Sequence, residues 1–128
     1  MALGLQPNDC EALGTQDFGA WTDMTLDEIA DQDPEALSRW TRDPEMRPAR
    51  GTSLIDLCTV VRPWLDQVAN CPANRVVALA TPPVLRAVLV CALDLPPVAG
   101  LRLDIQPLAP IHLAHDGHRW TWRPGSPE

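Results

Sequence analysis

Three histidines, His112, His115 and His118, cluster around Asp116-Gly117 near the end of the sequence. Asp-Gly is a favoured centre for a two-residue type I′ turn. Residues 111–122 therefore read as a hairpin, with Ile111 and Leu113 alternating on one strand and Trp120 and Trp122 on the other. A turn centred there sets His115 opposite His118, with Cβ atoms about 5 Å apart. Two imidazoles at that spacing hold a divalent metal or share a proton near neutral pH. A complete metal site would still need a third ligand, from Asp116 or from another chain; the plainer reading is two solvated turn histidines. The other residue with marked chemical potential is Arg86, the one charge in the apolar run 84–93. A charge there pairs with an acid, binds an anion, or carries its stem along the helix to an edge. The four cysteines are scattered without a CxxC pair, and Cys58 and Cys91 fall in apolar helical patterns as small core residues.

The elements that would position these groups are legible from caps and periodicity. Thr25-Leu26-Asp27-Glu28 is a capping box opening a short helix to about Asp31, and Asp33-Pro34-Glu35 opens a second that carries Leu37 and Trp40. Residues 43–51 are proline-rich and read as a mobile connection. Ser53 caps a long helix in which Leu54, Leu57, Cys58, Val61, Leu65 and Val68 form one apolar stripe, interrupted by Pro63. Residues 75–80 form a short continuous apolar run, the pattern of a strand buried on both faces. Thr81-Pro82-Pro83 then opens a buried helix to about Leu93, and residues 101–105 alternate as a further strand. Helix, buried strand and buried helix in succession specify an α/β fold, a few-stranded sheet flanked by helices with a C-terminal hairpin.

Bulk properties exclude several classes. With a net charge of −7 and no basic cluster, the sequence has no nucleic-acid footprint. No apolar stretch is long enough for a membrane span, and no basic segment precedes an apolar run as in a secretory signal. A cytoplasmic location is expected, and no cofactor is implied. Apolar residues make up 45% of 128, enough for one modest core.

Four stretches follow one another in a telling order: Leu13-Gly14-Thr15-Gln16-Asp17-Phe18-Gly19-Ala20-Trp21; Asp33-Pro34-Glu35-Ala36-Leu37 with Trp40; Arg50-Gly51-Thr52-Ser53; and the strand, turn and helix of residues 76–86. Collinear from Leu13 to Arg123, they resemble the histidine phosphatase superfamily, the phosphoglycerate-mutase-like group that includes alpha-ribazole phosphatases. The resemblance implies a partial phosphoglycerate-mutase-like fold, with tails at 1–12 and 124–128 and one truncated domain at 13–123. It also implies that the positions carrying the family's chemistry have changed. The catalytic glutamate falls at Thr15 and the second catalytic histidine at Thr81. The glutamate before Ser53 falls at Thr52, and the arginine of the long helix at Val60. Family members open on a strand ending in arginine-histidine-glycine, a triplet this sequence does not contain.

Phosphoryl transfer to histidine needs a neutral imidazole, cations around the phosphoryl oxygens and a proton donor for the leaving oxygen. A threonine at position 81 supplies none of these. Where the family has glycines whose amides cradle phosphate at a helix start, Pro82 and Pro83 have no N–H to offer. The reading that follows is a non-catalytic, pseudophosphatase-like protein that binds a protein partner or a small acidic ligand, through Arg86, Thr81 and Trp21. The alternative is a repurposed small-molecule biosynthetic enzyme without phosphohistidine chemistry, with Thr15, Thr81 and Arg86 as catalytic candidates. A third possibility is a composite phosphatase completed by another chain. A homodimer is expected, because the elements that would flank a strand at 76–80 are not found in the sequence. Trp120 and Trp122 read equally as core or as a docking face.

Overall fold

In the computed structural model, the described residues are 14, 16–72, 76–107 and 110–123. The helices begin where side chains satisfy their first amides. The Thr25 hydroxyl accepts the Glu28 amide while Glu28 accepts that of Thr25, starting α1 (Leu26–Gln32). Asp33 accepts the Ala36 amide ahead of α2 (Pro34–Trp40). Ser53 and Asp56 form a second reciprocal box at the head of α3 (Leu54–Ala69), which continues through Pro63. Prolines at the first two positions start α4 (Pro82–Ala92), and the short α5 (Pro97–Gly100) follows. The antiparallel sheet has two strands, β1 (Leu113–His115) and β2 (Trp120–Trp122).

α3 and α4 pack along their apolar stripes and make the core. Leu57, Cys58, Val61 and Leu65 meet Val84, Ala87, Val88 and Cys91, and Val61 and Val84 are wholly buried. Burying a side chain of that size stabilises by roughly 1.5–3 kcal/mol relative to leaving it in water. The Cys91 thiol donates to the Cys58 carbonyl at 3.6 Å, so both cysteines serve as core residues, as their positions in the apolar pattern suggested. α5 closes one end of the pair. Gly100 permits a close approach there, since a Cβ would come within 2.8 Å of the Leu54 and Val90 side-chain ends and force them to shift.

Three sequence expectations are corrected. Residues 76–80 pair with no strand among the described residues and are not buried on both faces: Val77 and Leu79 are 68% and 91% exposed. Their hydrophobicity was read as burial, but among the described residues no strand pairs with them, and Val76, Val77 and Leu79 all stand exposed. Residues 101–105 make no strand either; turn bonds from Leu101, Arg102 and Leu103 back to Val98, Ala99 and Gly100 continue the coil of α5 instead. The proline-rich 43–51 connection is pinned rather than loose. Met46 and Pro48 are buried, and Arg47 grips Asp56 with two short bonds of 2.6 and 2.7 Å.

Candidate active-site cavity

Two strapped loops set Gln16 at the lining of a cavity of about 190 Å³. Asp17 and Thr52 exchange backbone and side-chain bonds at 2.8–3.3 Å, the Gln16 amide donates to the Thr52 carbonyl at 2.7 Å, and Ala20 donates to Ala49 at 2.8 Å. The approach depends on Gly19, whose φ is +56° and whose hypothetical Cβ would stand 2.1 Å from the Ala49 oxygen. Gln16 is thereby buried on the cavity floor, 5% exposed. Trp40, Thr41, Asp43 and Pro44 come from the end of α2, Leu54 from α3, Leu101 from beyond α5, and Pro83 and Arg86 from α4.

Arg86 is half-buried at this cavity, held by a 2.7 Å bond from its Nε to the Leu103 carbonyl. Of the readings open for it, this one pairs Arg86 with a neutral acceptor. Among the described residues, no carboxylate forms an ion pair with it. A guanidinium anchored through Nε keeps its two Nη groups for an incoming anion, the geometry that suits a carboxylate or phosphate. The nearest acid in the wall, Asp43, is already engaged by Arg39 at 3.4 Å and by the Glu45 amide.

The other sequence candidates fall differently. Thr81 is the exposed N-cap of α4, two residues from the cavity-lining Pro83, with its backbone extended and no side-chain cap bond. Thr15 lies outside the described residues. Trp21 does not line the cavity; it packs edge-on behind Trp40, with ring centroids 5.6 Å apart, while Phe18 abuts the same ring at 6.1 Å. Trp40 is therefore the indole that a ligand beside Arg86 would meet, and Trp21 supports it. Gln16, Trp40 and Asp43 were not among the sequence candidates for this site. Gln16 sat one residue from Thr15, Trp40 read as a helix core residue and Asp43 as a helix breaker, so nothing local marked them as neighbours of Arg86.

The hairpin histidines do not face one another. Pairing runs Leu113 to Trp122, Ala114 to Thr121 and His115 to Trp120, which moves the turn centre one residue on, to Gly117-His118. Asp116 draws it there: its Oδ1 accepts the amides of both His118 and Arg119, at 2.8 and 2.9 Å. Those amides, Arg119's first, hold the Asp116 carboxyl below its usual range. His115 stacks edge-on against Trp120 with centroids 4.9 Å apart, and its Nδ1 accepts the Gly117 amide at 3.1 Å. Among the described residues, no group of three or more His, Cys, Asp or Glu is placed to hold a metal ion. Trp120 packs against the core whereas Trp122 is 50% exposed, dividing the two indoles between the roles considered for both. No helix among the described residues is long and apolar enough to cross a membrane.

The comparisons with known proteins agree on the frame around this cavity. A 67-residue stretch, 52% of this chain, is 37% identical to a bifunctional protein of Mycobacterium tuberculosis and to an uncharacterized protein of Mycobacterium bovis. It covers 18% of each. A mycobacterial glucosyl-3-phosphoglycerate phosphatase solved with VO3 superposes with a TM-score of 0.84 at 22% identity, over 94% of this chain and 63% of that one. The structure of mycobacterial hydrolase 1 gives 0.83 at 24%, with the same coverage. The chain thus spans less than two thirds of these solved proteins and a fifth or less of the curated relatives, and the structural likeness is one of fold, a partial phosphoglycerate-mutase-like α/β arrangement. The family model of the histidine phosphatase superfamily (branch 1) matches residues 1–124, and the chain belongs to that superfamily.

Proposed function

We propose that this chain acts without phosphohistidine chemistry, by holding a small acidic ligand in the cavity between Arg86 and Trp40. The observation that carries the reading is the start of α4. Its first two helical residues are Pro82 and Pro83, so of the first three positions only Val84 has an N–H, and Thr81 caps the helix where the resemblance assigns a catalytic histidine. Stripped of those amides, the helix start is a poor phosphoryl cradle. Arg86, one turn further in, retains its charge for binding, and the Trp40 face supplies an apolar wall. Such a site binds and orients an anion but offers no nucleophile to be phosphorylated and no imidazole to protonate a leaving oxygen.

The test has two arms. Purified protein is assayed with p-nitrophenyl phosphate and 3-phosphoglycerate, and no turnover above buffer is expected. Turnover that tracks with the protein and is lost in Thr81→Val would overturn the reading. Binding of 3-phosphoglycerate, read by quenching of tryptophan emission, should weaken at least tenfold in Arg86→Met, equivalent to about 1.4 kcal/mol. Quenching that is unchanged in Arg86→Met would place the ligand elsewhere.

A further inference from the structure

Cys58 of α3 and Cys91 of α4 are both buried, and they meet across the helix pair. The Cys91 sulfur reaches the α3 main chain itself, 3.6 Å from the Cys58 carbonyl oxygen, and the Cys58 thiol donates to the Cys91 sulfur. That contact holds the Cys91 thiol below its ordinary range, with the Arg62 guanidinium helping and burial opposing. Donating to Cys91, together with burial, pushes the Cys58 thiol up. Arg62 stands one turn beyond Cys58 on the same face of α3, and Asp94 lies just past the end of α4. The two pair at 3.6 Å over the cysteines' end of the core, with side chains 54% and 87% exposed. Alanine or valine would fill this volume as well. Two thiols in contact can also give up two electrons.

We infer that Cys58 and Cys91 form an oxidation-sensitive dithiol, which a peroxide converts into a disulfide that staples α3 to α4. The Cys91 sulfur attacks one peroxide oxygen, the O–O bond breaks, and the products are a sulfenic acid on Cys91 and water. The Cys58 sulfur then attacks the sulfenic sulfur. The S–S bond forms as the S–O bond breaks, and the departing hydroxide takes the Cys58 proton as a second water. Two thiols are oxidised by two electrons, and one peroxide is reduced to two waters. Cys91 is the group that reacts first, because it accepts a proton donor and lies near a cation, the setting that favours thiolate character. Its place in the last turn of α4 also suits the closure. The chain leaves the helix at Asp94 with φ +52°, so the shift that brings the sulfurs to about 2.05 Å is taken up at a helix end, not within a helix. Peroxide is little larger than water, and the exposed Arg62–Asp94 pair above the thiols is of a kind that contributes little stability, so its parting opens the way in. The bond closes the loop from residue 58 to residue 91 and ties together the two helices whose contact is the core.

The test treats the folded full chain with hydrogen peroxide in about tenfold excess and maps the cysteines by mass spectrometry. The parent is compared with Cys10→Ser/Cys71→Ser, which leaves only the buried pair. The double variant should lose the mass of two hydrogen atoms without joining two chains, and alkylation after unfolding in urea should then find neither thiol. Its melting midpoint should rise by about 10 °C, and dithiothreitol should return it to the starting value. Cys91→Ala in the same background should show no disulfide and no such rise. In the parent, peptide mapping should join Cys58 to Cys91, with exposed Cys71 reporting that peroxide reached the protein. Two buried thiols that are still alkylated after the treatment overturn the proposal. So does a disulfide that joins two chains, or one within the chain that leaves the midpoint unchanged, since neither is a staple between α3 and α4.

Discussion

Around the N-terminal half of α4 the chain closes on itself. Loops 16–20 and 49–52 are laced together, Gln16 is buried, and Arg86 is fixed to the Leu103 carbonyl. Along residues 76–80, the segment leading into the same helix, one face has its groove and the other has Val77 and Leu79 in water. The first region is satisfied by bonds that a single copy makes. The second leaves Val77 and Leu79 in water, and among the described residues its backbone bonds to no other segment. On this comparison the N-terminal half of α4 lies on a closed side and residues 76–80 on an open one.

The largest effect that would break the contrast is expected at Gly19. Gly19→Ala puts a Cβ against the Ala49 oxygen at a positive φ, and should cost about 3 kcal/mol in urea unfolding. A loss under about 0.5 kcal/mol would mean that the laced loops are not rigid. On the open side, the two indoles of β2 should behave unequally. Trp120→Ala, which removes a ring packed on the core, should cost about 2 kcal/mol, and Trp122→Ala no more than about 0.5 kcal/mol of the monomer's own stability. Equal losses would erase the division between core and surface in the hairpin.

Smaller still is the cap that joins the closed side to the core. Ser53→Ala removes the hydroxyl that accepts the Asp56 amide and should cost about 1 kcal/mol in thermal or urea unfolding. The least effect is the pH dependence of the same box. The Arg47 guanidinium, then the Ser53 amide and hydroxyl, hold the Asp56 carboxyl down at about 2, against the opposing effect of burial. Because the folded value lies below the unfolded one of 3.8, this contribution is present above about pH 4 and is lost as pH falls toward 2. Asp56→Asn should flatten that part of the acid unfolding profile, and a profile of unchanged slope would remove Asp56 from the account.

Helix starts were the most legible part of the molecule. Thr25, Asp33 and Ser53 each cap within three residues of the groups they serve, so local chemistry suffices, and the α3 stripe announced its own buried face. The hairpin was legible as an element but not in register. Asp116 was read as one of two central turn residues, whereas its carboxylate captures two later amides and moves the turn one residue on, which separates His115 from His118. Of the candidate site, Arg86 was legible because a lone charge in an apolar run stands out. Trp40, Gln16 and Asp43 were not, since they reach the same cavity from segments far apart in the chain.

What the sequence determined by itself was therefore local and compositional: where helices begin, which stripe each buries, the family frame, and the two prolines, Pro82 and Pro83, that leave the start of α4 without its first two amides. These follow from groups within a turn of one another or from side-chain chemistry that no fold can alter. Only the tertiary structure decided that residues 76–79 stand exposed, that Trp21 stands behind Trp40, and that the 43–51 connection is clamped by Asp56. Each of those depends on what packs across a gap of many residues. Hydrophobicity reports that a side chain favours burial, but only the arrangement of the other elements settles whether this chain provides the cover.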